Sequence, residues 1–472
     1  MGSIMALMRE ELNALSAHSS ELANACEPLL KRVDSPPRIV LVGRLKAGKS
    51  TLLNALVGAN VADTAALEAT NVVTAYQFGA PDRAEVHLRN GSTARVATRR
   101  GEAAQMPAPA ADIAYVDRFL TSDAVRAYTL IDTPGLATLT EENEATTRAM
   151  LIDGFAQTRD ASIDADAAVF LFDAVPRRDE VEFIRDLGFT PLNTLGVLSR
   201  ADSFGAGALG EIDPVQDAAR YAKQLESGLS RYVGRVIPVS GLLAQTAVTG
   251  EITEARTRSI AAVTASSRAA LLEAVYAEGA PGLEAQQVES VVDLVGEYGL
   301  FRGADAAASG ATGFTRWLMQ ASGMNDLRQV LERELSWYAH LHRAGSILQA
   351  LDALAYQHPG HATEIRRTAS TIRRHPAALP ALLLVALKAL QKADASAVFV
   401  EEAKRLAQIG PATVRLGLDA AADPWEALDT VRARRAEMQA ASFGLLDPAE
   451  EESLVVFMEA YDLLERELQR MV

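Results

Sequence analysis

The spacing of apolar residues divides the chain into three regions with different patterns. From residue 4 to residue 33, apolar side chains recur at steps of three, four and seven, which predicts one long amphipathic helix ending at Ser35-Pro36-Pro37. From Arg38 to about residue 250, short β-type runs alternate with helical stretches. Beyond that point nearly every pattern is helical. This order predicts an α/β domain with a mostly parallel sheet, joined to an α-helical bundle.

The individual elements follow from the same patterns. Strands are predicted at 39–42, 72–78, 84–88, 128–131, 167–172, 194–198 and 235–239, with Asn90-Gly91 as a hairpin turn. Long helices are predicted at 252–278, 284–300, 325–357, 361–375, 396–409, 424–440 and 448–470. The apolar stripes on these charged helices are typical of bundle packing.

A glycine-rich segment follows the first predicted strand and precedes a helix. It reads Gly43-Arg44-Leu45-Lys46-Ala47-Gly48-Lys49-Ser50, with Thr51 next. Such glycines let backbone N–H groups curl around phosphate, and the helix N-terminus adds its positive end. We expect Lys49 to reach the β- and γ-phosphates and the Ser50 hydroxyl to bind Mg²⁺. The nucleotide-binding residues predicted here are Gly43, Ala47, Gly48, Lys49, Ser50 and Thr51.

Two further segments fit the γ-phosphate side of such a site. Asp132-Thr133-Pro134-Gly135 ends a strand, where Asp132 can hold the metal through water and the Gly135 N–H can meet the γ-phosphate. Alone this tetrapeptide is typical of an ordinary turn. Between the two motifs, Thr70 is predicted to bind Mg²⁺ and to hold the attacking water through its backbone, with Thr74 as the alternative.

The base-reading segment distinguishes guanine from adenine. Ser199-Arg200-Ala201-Asp202 follows a strand, and a carboxylate at Asp202 can accept both N–H groups of the guanine Watson–Crick edge. Arg200 would lie along the base in the place usually taken by lysine. The alternative is a charged strand-to-helix turn. Ser240 and Gly241, after the last strand, would cap the base through their backbone N–H groups. The order of motifs predicts a P-loop GTPase domain that binds GTP and GDP with Mg²⁺.

Composition narrows the partners and the compartment. The chain has 472 residues, with 46 Lys and Arg against 61 Asp and Glu, a net charge of -15 that disfavours nucleic-acid binding. Cys26 is the single cysteine, so no disulfide framework or cysteine-based metal site is expected, which fits a reducing cytosol. The longest uncharged apolar run, 376–387, is too short to span a bilayer. We expect a cytoplasmic protein.

These motifs together resemble those of the bacterial dynamin-like GTPases, in particular the shorter type of actinobacterial isoniazid-inducible protein. The resemblance rests on residues 45–52, 68–70, 199–202 and 238–243, and it is strongest over 38–250. It implies a GTPase domain at 38–250, an N-terminal helix at 1–37 that joins a helical neck, and a neck and trunk at 251–472. It also implies pairing of GTPase heads, a longer dynamin-like paralogue as partner, and membrane binding, remodelling or fission at the inner face of the cell membrane.

Two leucines depart from the usual catalytic pattern. Leu136 stands where many small GTPases place a water-orienting glutamine, and Leu45 where eukaryotic dynamins place a polar residue. Neither side chain can hold water by hydrogen bonding. Hydrolysis would then rely on Thr70, Mg²⁺ and the charge of Lys46 or Arg44, completed by dimerisation. The alternatives are a soluble regulatory GTPase and a hydrolysis-poor scaffold for the longer paralogue.

A membrane-facing tip is predicted near 366–390. There, paired arginines precede an apolar segment: Arg366, Arg367, Arg373, Arg374, Leu382 and Leu383. A basic stripe beside leucines is typical of a peripheral lipid-binding surface for anionic lipid. The alternative is a buried trunk helix beside a solvated arginine face. A second candidate, around Phe314 and Trp317, has core packing as its alternative. The histidines between 340 and 375 predict added positive charge below pH 6.5 and no metal site.

Overall fold

The computed structural model describes residues 2–44, 46–61, 72–98, 106–133, 165–177, 181, 188–276 and 285–472. The chain forms two compact units. The helical unit contains Met1–Pro37, Arg185–Asn193 and Glu334–Val472, and the sheet unit contains Arg38–Ile184 and Thr194–Arg333.

One sheet organises the sheet unit. Within the described residues its strands are β1 (Arg38–Gly43), β2 (Thr74–Phe78), β3 (Arg83–Leu88), β4 (Thr93–Ala97), β5 (Ile113–Leu120), β6 (Thr129–Asp132), β7 (Ala167–Phe172), β8 (Thr194–Ser199) and β9 (Arg235–Val239). Their order across the sheet is β4-β3-β5-β2-β6-β1-β7-β8-β9. Strands β1, β6, β7, β8 and β9 are mutually parallel, and β2 runs antiparallel to β6. The β7 and β8 strands are buried throughout, as expected for parallel strands covered on both faces.

The helices follow in chain order. They are α1 (Gly2–Ser16), α2 (Ser20–Asp34), α3 (Lys49–Val57), α4 (Pro214–Gly228), α5 (Gly241–Val248), α6 (Glu254–Thr264), α7 (Arg268–Tyr276), α8 (Ala285–Arg302), α9 (Ala304–Ala308), α10 (Gly310–Ala321), α11 (Met324–Val330), α12 (Ser336–Gln357), α13 (Ala362–Arg374), α14 (Leu379–Lys392), α15 (Ala397–Leu406), α16 (Ala412–Arg415), α17 (Pro424–Ala441) and α18 (Pro448–Gln469). None of the helices in the described ranges combines the length and apolarity that a bilayer-crossing segment needs.

The predicted fold class is confirmed: a mostly parallel α/β sheet is followed by many helices. Two details differ. The single helix predicted at 4–33 is two helices, because the Ser19 side chain accepts the Leu22 N–H at 3.1 Å and starts a new helix. The sequence patterns also missed β4 and β5, which lie on the outer part of the sheet. In β4 exposed and half-buried positions alternate, and β5 mixes buried and half-buried positions, so neither strand has a strong apolar run.

Helices beyond residue 250 belong to both units. The helices α6 to α10 share a core with α5 that includes Leu243, Ile260, Val295, Phe314 and Leu318, so they lie in the sheet unit. The predicted division at residue 250 between GTPase domain and helical neck stays a prediction. Trp317 stacks on Tyr298 and on Phe314, with ring centroids 5.6 and 5.7 Å apart, which agrees with the core alternative for this aromatic cluster.

The helical unit buries the apolar part of the predicted membrane tip. Its core contains residues from both chain ends, such as Met8, Leu22, Tyr461 and Leu464. Leu383 on α14 is fully buried in this core and Leu382 packs partly against it. The prediction that these two leucines form a lipid-facing surface is therefore wrong in this structure, because the apolar stripe of α14 faces the bundle interior.

The arginines before α14 are placed differently from its leucines. Arg366, Arg367 and Arg374 on α13 are exposed, while Arg373 forms an ion pair with Asp352 at 2.5 Å. This arrangement matches the alternative interpretation, a solvated arginine face beside a buried helix.

Candidate nucleotide site

The predicted motifs meet at one edge of the sheet. Because β1, β6, β7, β8 and β9 are parallel, their carboxyl ends lie together, which is where open α/β sheets bind ligands. In register, Leu41 lies beside Asp132, Gly43 beside Leu171, and Ser199 beside Val239. The phosphate, metal and base motifs therefore share this edge.

The phosphate loop links β1 to α3. The Ala47 N–H donates to Arg44 O at 3.1 Å, and Gly48 adopts a left-handed conformation (φ 92°) just before the first residue of α3. Lys46 is also left-handed (φ 65°) and exposed. Ser50 and Thr51 lie in the first turn of α3, which turns its free N–H groups toward the loop. Leu45 lies outside the described residues.

Lys49 and Asp132 form the charged centre of the site. Lys49 is buried, and its Nζ donates to Gly43 O at 3.1 Å and lies 3.5 Å from Arg44 O. Burial lowers the pKa of Lys49, and the charge of Asp132 opposes that shift. Burial also raises the pKa of Asp132 to about 6, against the opposing effects of Lys49 and the Thr133 N–H. Both charges are thus held away from water.

One oxygen of Asp132 fits a missing ligand. Its Oδ1 is enclosed and has no hydrogen-bond partner among the described residues. A buried carboxylate oxygen without a partner is costly unless something else binds it. Carboxylate and hydroxyl oxygens are the donors that Mg²⁺ prefers, so Asp132 and Ser50 fit a magnesium ion. In the part of the chain described, no three His, Cys, Asp or Glu side chains cluster as a metal site of their own.

Several predicted γ-phosphate residues cannot be placed. Thr70, Gly135 and Leu136 lie outside the described residues. Thr74, the alternative to Thr70, begins β2 directly opposite Asp132, and its hydroxyl donates to Val72 O at 3.4 Å. Thr133, which the sequence reasoning did not single out, donates its hydroxyl to Leu41 O at 2.8 Å and so joins the turn after β6 to β1.

The base-reading turn contacts the phosphate loop. Arg200 is left-handed (φ 56°), and its guanidinium donates to Lys46 O at 2.8 Å. The Ser199 hydroxyl donates to Phe172 O at 3.2 Å, which ties the end of β8 to β7. Asp202 lies in the short turn Ala201–Ser203 that follows and is partly exposed. Arg200 thus connects the base-reading turn to the loop around the phosphates.

The last motif is fixed by the helices that follow it. The Ser240 side chain accepts the Leu243 N–H and caps α5, while the Ser240 N–H donates to Ser322 O at 2.9 Å. That N–H is therefore engaged within the chain. Gly241 lies against Thr51 of α3, since a Cβ placed on it would lie 3.3 Å from Thr51 Cγ2. The Gly241 backbone thus lies beside the phosphate loop.

Sequence reasoning missed the glycines that interrupt the later helices. At Gly323 (φ 71°) a Cβ would lie 2.3 Å from Pro238 O, so the chain after α10 passes directly against β9. Gly296 interrupts α8 beside Asp202. The available signal was a glycine inside an otherwise helical pattern, which often marks a close approach of backbone.

Comparisons with known proteins found a matching family model and related sequences. The family model described as 50S ribosome-binding GTPase matches residues 38–194. The isoniazid-induced protein IniC of Mycobacterium tuberculosis is 32% identical over 356 residues, which cover 70% of this chain and 69% of IniC. The tRNA modification GTPase MnmE of Zymomonas mobilis is 41% identical over 66 residues, 14% of this chain and 15% of MnmE.

One solved structure aligns with nearly the whole chain, but at a low score. It is described as "An oligomerised bacterial dynamin pair provides a mechanism for the long-range sensing and tethering of membranes". The match covers 99% of this chain and 75% of that one at 13% identity, with a TM-score of 0.32. A TM-score of this size is too low to establish a shared arrangement.

Proposed function

The chain belongs to the IniC family of bacterial dynamin-like GTPases, and on that premise we propose that it hydrolyses GTP to GDP and couples the reaction to membrane remodelling. The observation that carries the nucleotide part is the enclosed pair of Lys49 and Asp132. Lys49 is held by loop carbonyls, while Asp132 Oδ1 has no partner among the described residues. Nucleotide phosphates would balance the buried charge of Lys49, and Mg²⁺ would bind the Asp132 oxygen that has no partner among the described residues.

Each side chain of the site then has a distinct task. Lys49 would neutralise the β- and γ-phosphates, while Ser50 and Asp132 would hold Mg²⁺. Bound Mg²⁺ neutralises charge that develops on the phosphates during hydrolysis. Asp202 reads guanine, and Thr70 or Thr74 orients the attacking water. The exposed Lys46 adds positive charge at the loop, where a second head could complete the site.

Turnover at different protein concentrations tests the dimer part of this proposal. If two heads complete one site, the turnover per molecule rises with protein concentration and then levels off. Lys46→Ala should keep GTP affinity and lose most of that rise. Lys223→Ala, an exposed lysine on α4, is the matched control. A fast turnover that does not depend on concentration would exclude the dimer mechanism.

Membrane contact requires an exposed apolar surface, and the helical unit has one at the turn between α17 and α18. Phe443 is 91% exposed and Leu445 is 105% exposed, and both lie in the segment that joins these two helices. We place the membrane contact at this turn, where both side chains can enter the apolar part of a bilayer. Glu451 and Glu452 nearby are also exposed, and their negative charge gives little attraction to anionic lipid. Burial of the apolar side chains would therefore drive binding.

Vesicle co-sedimentation separates the membrane function from the alternatives. Replacing Phe443 and Leu445 with serine should weaken binding to phosphatidylcholine vesicles by about 150-fold or more, because each buried side chain contributes roughly 1.5–3 kcal/mol. Val455→Ser, an exposed apolar residue on α18, is the control and should change little. Absence of vesicle binding in every nucleotide state would favour a soluble regulatory GTPase.

A different result would indicate a scaffold. Tight GTP binding without measurable turnover at any concentration favours a hydrolysis-poor partner of a longer paralogue. The proposal requires that the protein both binds vesicles and turns over GTP. In the cell, the proposed place of this activity is the inner face of the cell membrane.

A further inference from the structure

Helix α8 is interrupted by a glycine in a conformation that other residues avoid. Gly296 has φ 64° and ψ 179°, inside the run Ala285–Arg302. This region of backbone conformation is essentially restricted to glycine, and strained backbone of this kind concentrates at functional sites. The helical pattern on both sides of Gly296 does not require a break, so its position needs a reason.

The break lies against the two loops that recognise the base. A Cβ placed on Gly296 would lie 3.5 Å from Asp202 Oδ2 and 3.5 Å from Leu242 Cδ2. Asp202 belongs to the turn after β8, and Leu242 to the first turn of α5 after β9. The Asp202 carboxylate and the Leu242 side chain therefore both border the position that a side chain at residue 296 would occupy.

Hydrogen bonds on both sides hold the break in place. The Thr246 hydroxyl of α5 donates to Leu294 O at 2.6 Å, two residues before Gly296. The Tyr298 hydroxyl, two residues after it, donates to Asp213 Oδ2 at 3.1 Å, and Asp213 caps α4. Val295 between them is fully buried. The break is thus a fixed part of the sheet unit.

We propose that the Gly296 break is a positioning element for guanine recognition, which sets the orientation of the Asp202 carboxylate. The inference rests on the proposed function, because it requires that the site bind guanine nucleotide. With the backbone of Gly296 behind it, Asp202 directs both oxygens at the N1–H and the 2-amino group of guanine. An alanine cannot adopt this backbone conformation without strain, so the helix must shift and Asp202 loses its support.

The comparison of two nucleotides isolates this effect. Inosine diphosphate lacks the 2-amino group, so it forms one hydrogen bond to Asp202 where guanosine diphosphate forms two. Gly296→Ala should therefore weaken GDP binding more than IDP binding, and the preference for GDP should fall by about tenfold, the loss expected for one hydrogen bond to a charged group. A purely structural defect would weaken both nucleotides equally.

Gly250→Ala is the matched control. Gly250 also has a positive φ (81°) in the sheet unit, but no atom lies within 4 Å of a Cβ placed there. Gly250→Ala changes another glycine of positive φ in the same unit and should leave the preference for GDP over IDP unchanged. If Gly296→Ala does not fold, Thr246→Val is used in its place. The valine removes the hydrogen bond to Leu294 O and should lower the preference for GDP over IDP a few-fold.

The outcomes are distinguishable. Loss of GDP preference in Gly296→Ala or Thr246→Val, with Gly250→Ala unchanged, supports the inference. Wild-type binding of GDP with an unchanged preference in the folded variants overturns this inference alone. A folded wild-type protein that binds no guanine nucleotide overturns the proposed function and, with it, this inference.

Discussion

Buried charged residues in the two units are satisfied in different ways. In the helical unit, Arg343 is 1% exposed and donates to Arg32 O and Pro36 O, each at 2.8 Å, and to Ser35 O. In the sheet unit, Asp132 Oδ1 has no partner among the described residues, and Lys49 Nζ donates to the carbonyl oxygens of Gly43 and Arg44. The hydrogen bonds of Arg343 are thus made within its own chain, whereas Lys49 and Asp132 are suited to bind a ligand.

This difference separates a structural charge from a functional one. Arg343 joins the end of α2 to α12, so its hydrogen bonds hold the helical unit together. The raised pKa of Asp132 and the lowered pKa of Lys49 both arise mainly from burial, which makes each charge costly until an opposite charge arrives. Strongly perturbed groups at the carboxyl edge of a parallel sheet indicate a binding site.

The largest expected effect comes from removing the lysine of the phosphate loop. Lys49→Ala should weaken GTP binding roughly 1000-fold, because truncating one partner of a buried charge pair costs about 2–5 kcal/mol. The thermal unfolding temperature of the nucleotide-free protein should change little or rise. Fluorescent GTP-analogue titration measures the affinity, with Lys223→Ala as control. An affinity within a few-fold of wild type would remove Lys49 from the site.

The opposite pattern is expected for the structural arginine. Arg343→Met should destabilise the helical unit by roughly 3 kcal/mol, because buried carbonyl oxygens lose their donor. Denaturant unfolding measures this loss, while GTP affinity of the folded protein should stay unchanged. Arg435→Met, which removes surface ion pairs to Asp462 and Glu465, should cost less than about 1 kcal/mol. Similar losses in both variants would contradict the distinction.

A smaller effect is expected on the base preference of the nucleotide site. Asp202→Asn should lower GTP affinity about 30-fold and raise affinity for xanthosine triphosphate, since an amide in place of the carboxylate reverses one hydrogen-bond partner. Competition binding with the two nucleotides measures the exchange. Asp293→Asn, an exposed change on α8, serves as control. Loss of GTP binding without any gain for the xanthine nucleotide would argue against direct base reading by Asp202.

The smallest effect concerns pH. In the nucleotide-free protein Asp132 keeps its proton up to about pH 6, above the ordinary value for aspartate. Its stabilising contribution is therefore present at pH below that ordinary value and is lost as pH rises through about 6, by on the order of 1–2 kcal/mol. Unfolding from pH 4 to pH 7.5 should show this loss in wild type and not in Asp132→Asn. Identical pH profiles would show that Asp132 is not held neutral by burial.

Mg²⁺ with GTP should reverse this dependence. The metal requires the ionised carboxylate, so adding Mg²⁺ and a GTP analogue should stabilise the wild-type protein most above pH 6. Asp132→Asn should show much less of this gain.

Much of the nucleotide site was accessible from local sequence. The run Gly43 to Ser50, the turn at Asp132 and the turn at Asp202 each follow a strand and carry their chemistry within a few residues, and the structure brings the described members to one sheet edge. Thr70 and Gly135 stay predictions. The environment of the leucines on α14 could not be predicted in this way, because a leucine-rich helix has the same sequence pattern whether its apolar stripe faces lipid or a bundle interior.

The sequence by itself determined the α/β class and the order of the motifs, and it predicts which residues bind phosphate and base, because these features depend on short runs of chain and on strand-to-helix transitions. Tertiary structure alone decided that Leu383 is buried, that Arg343 binds the end of α2, and that Gly296 lies beside Asp202. Those contacts join residues tens to hundreds of positions apart. Their partners are set by how helices pack, and no local pattern in the chain encodes that packing.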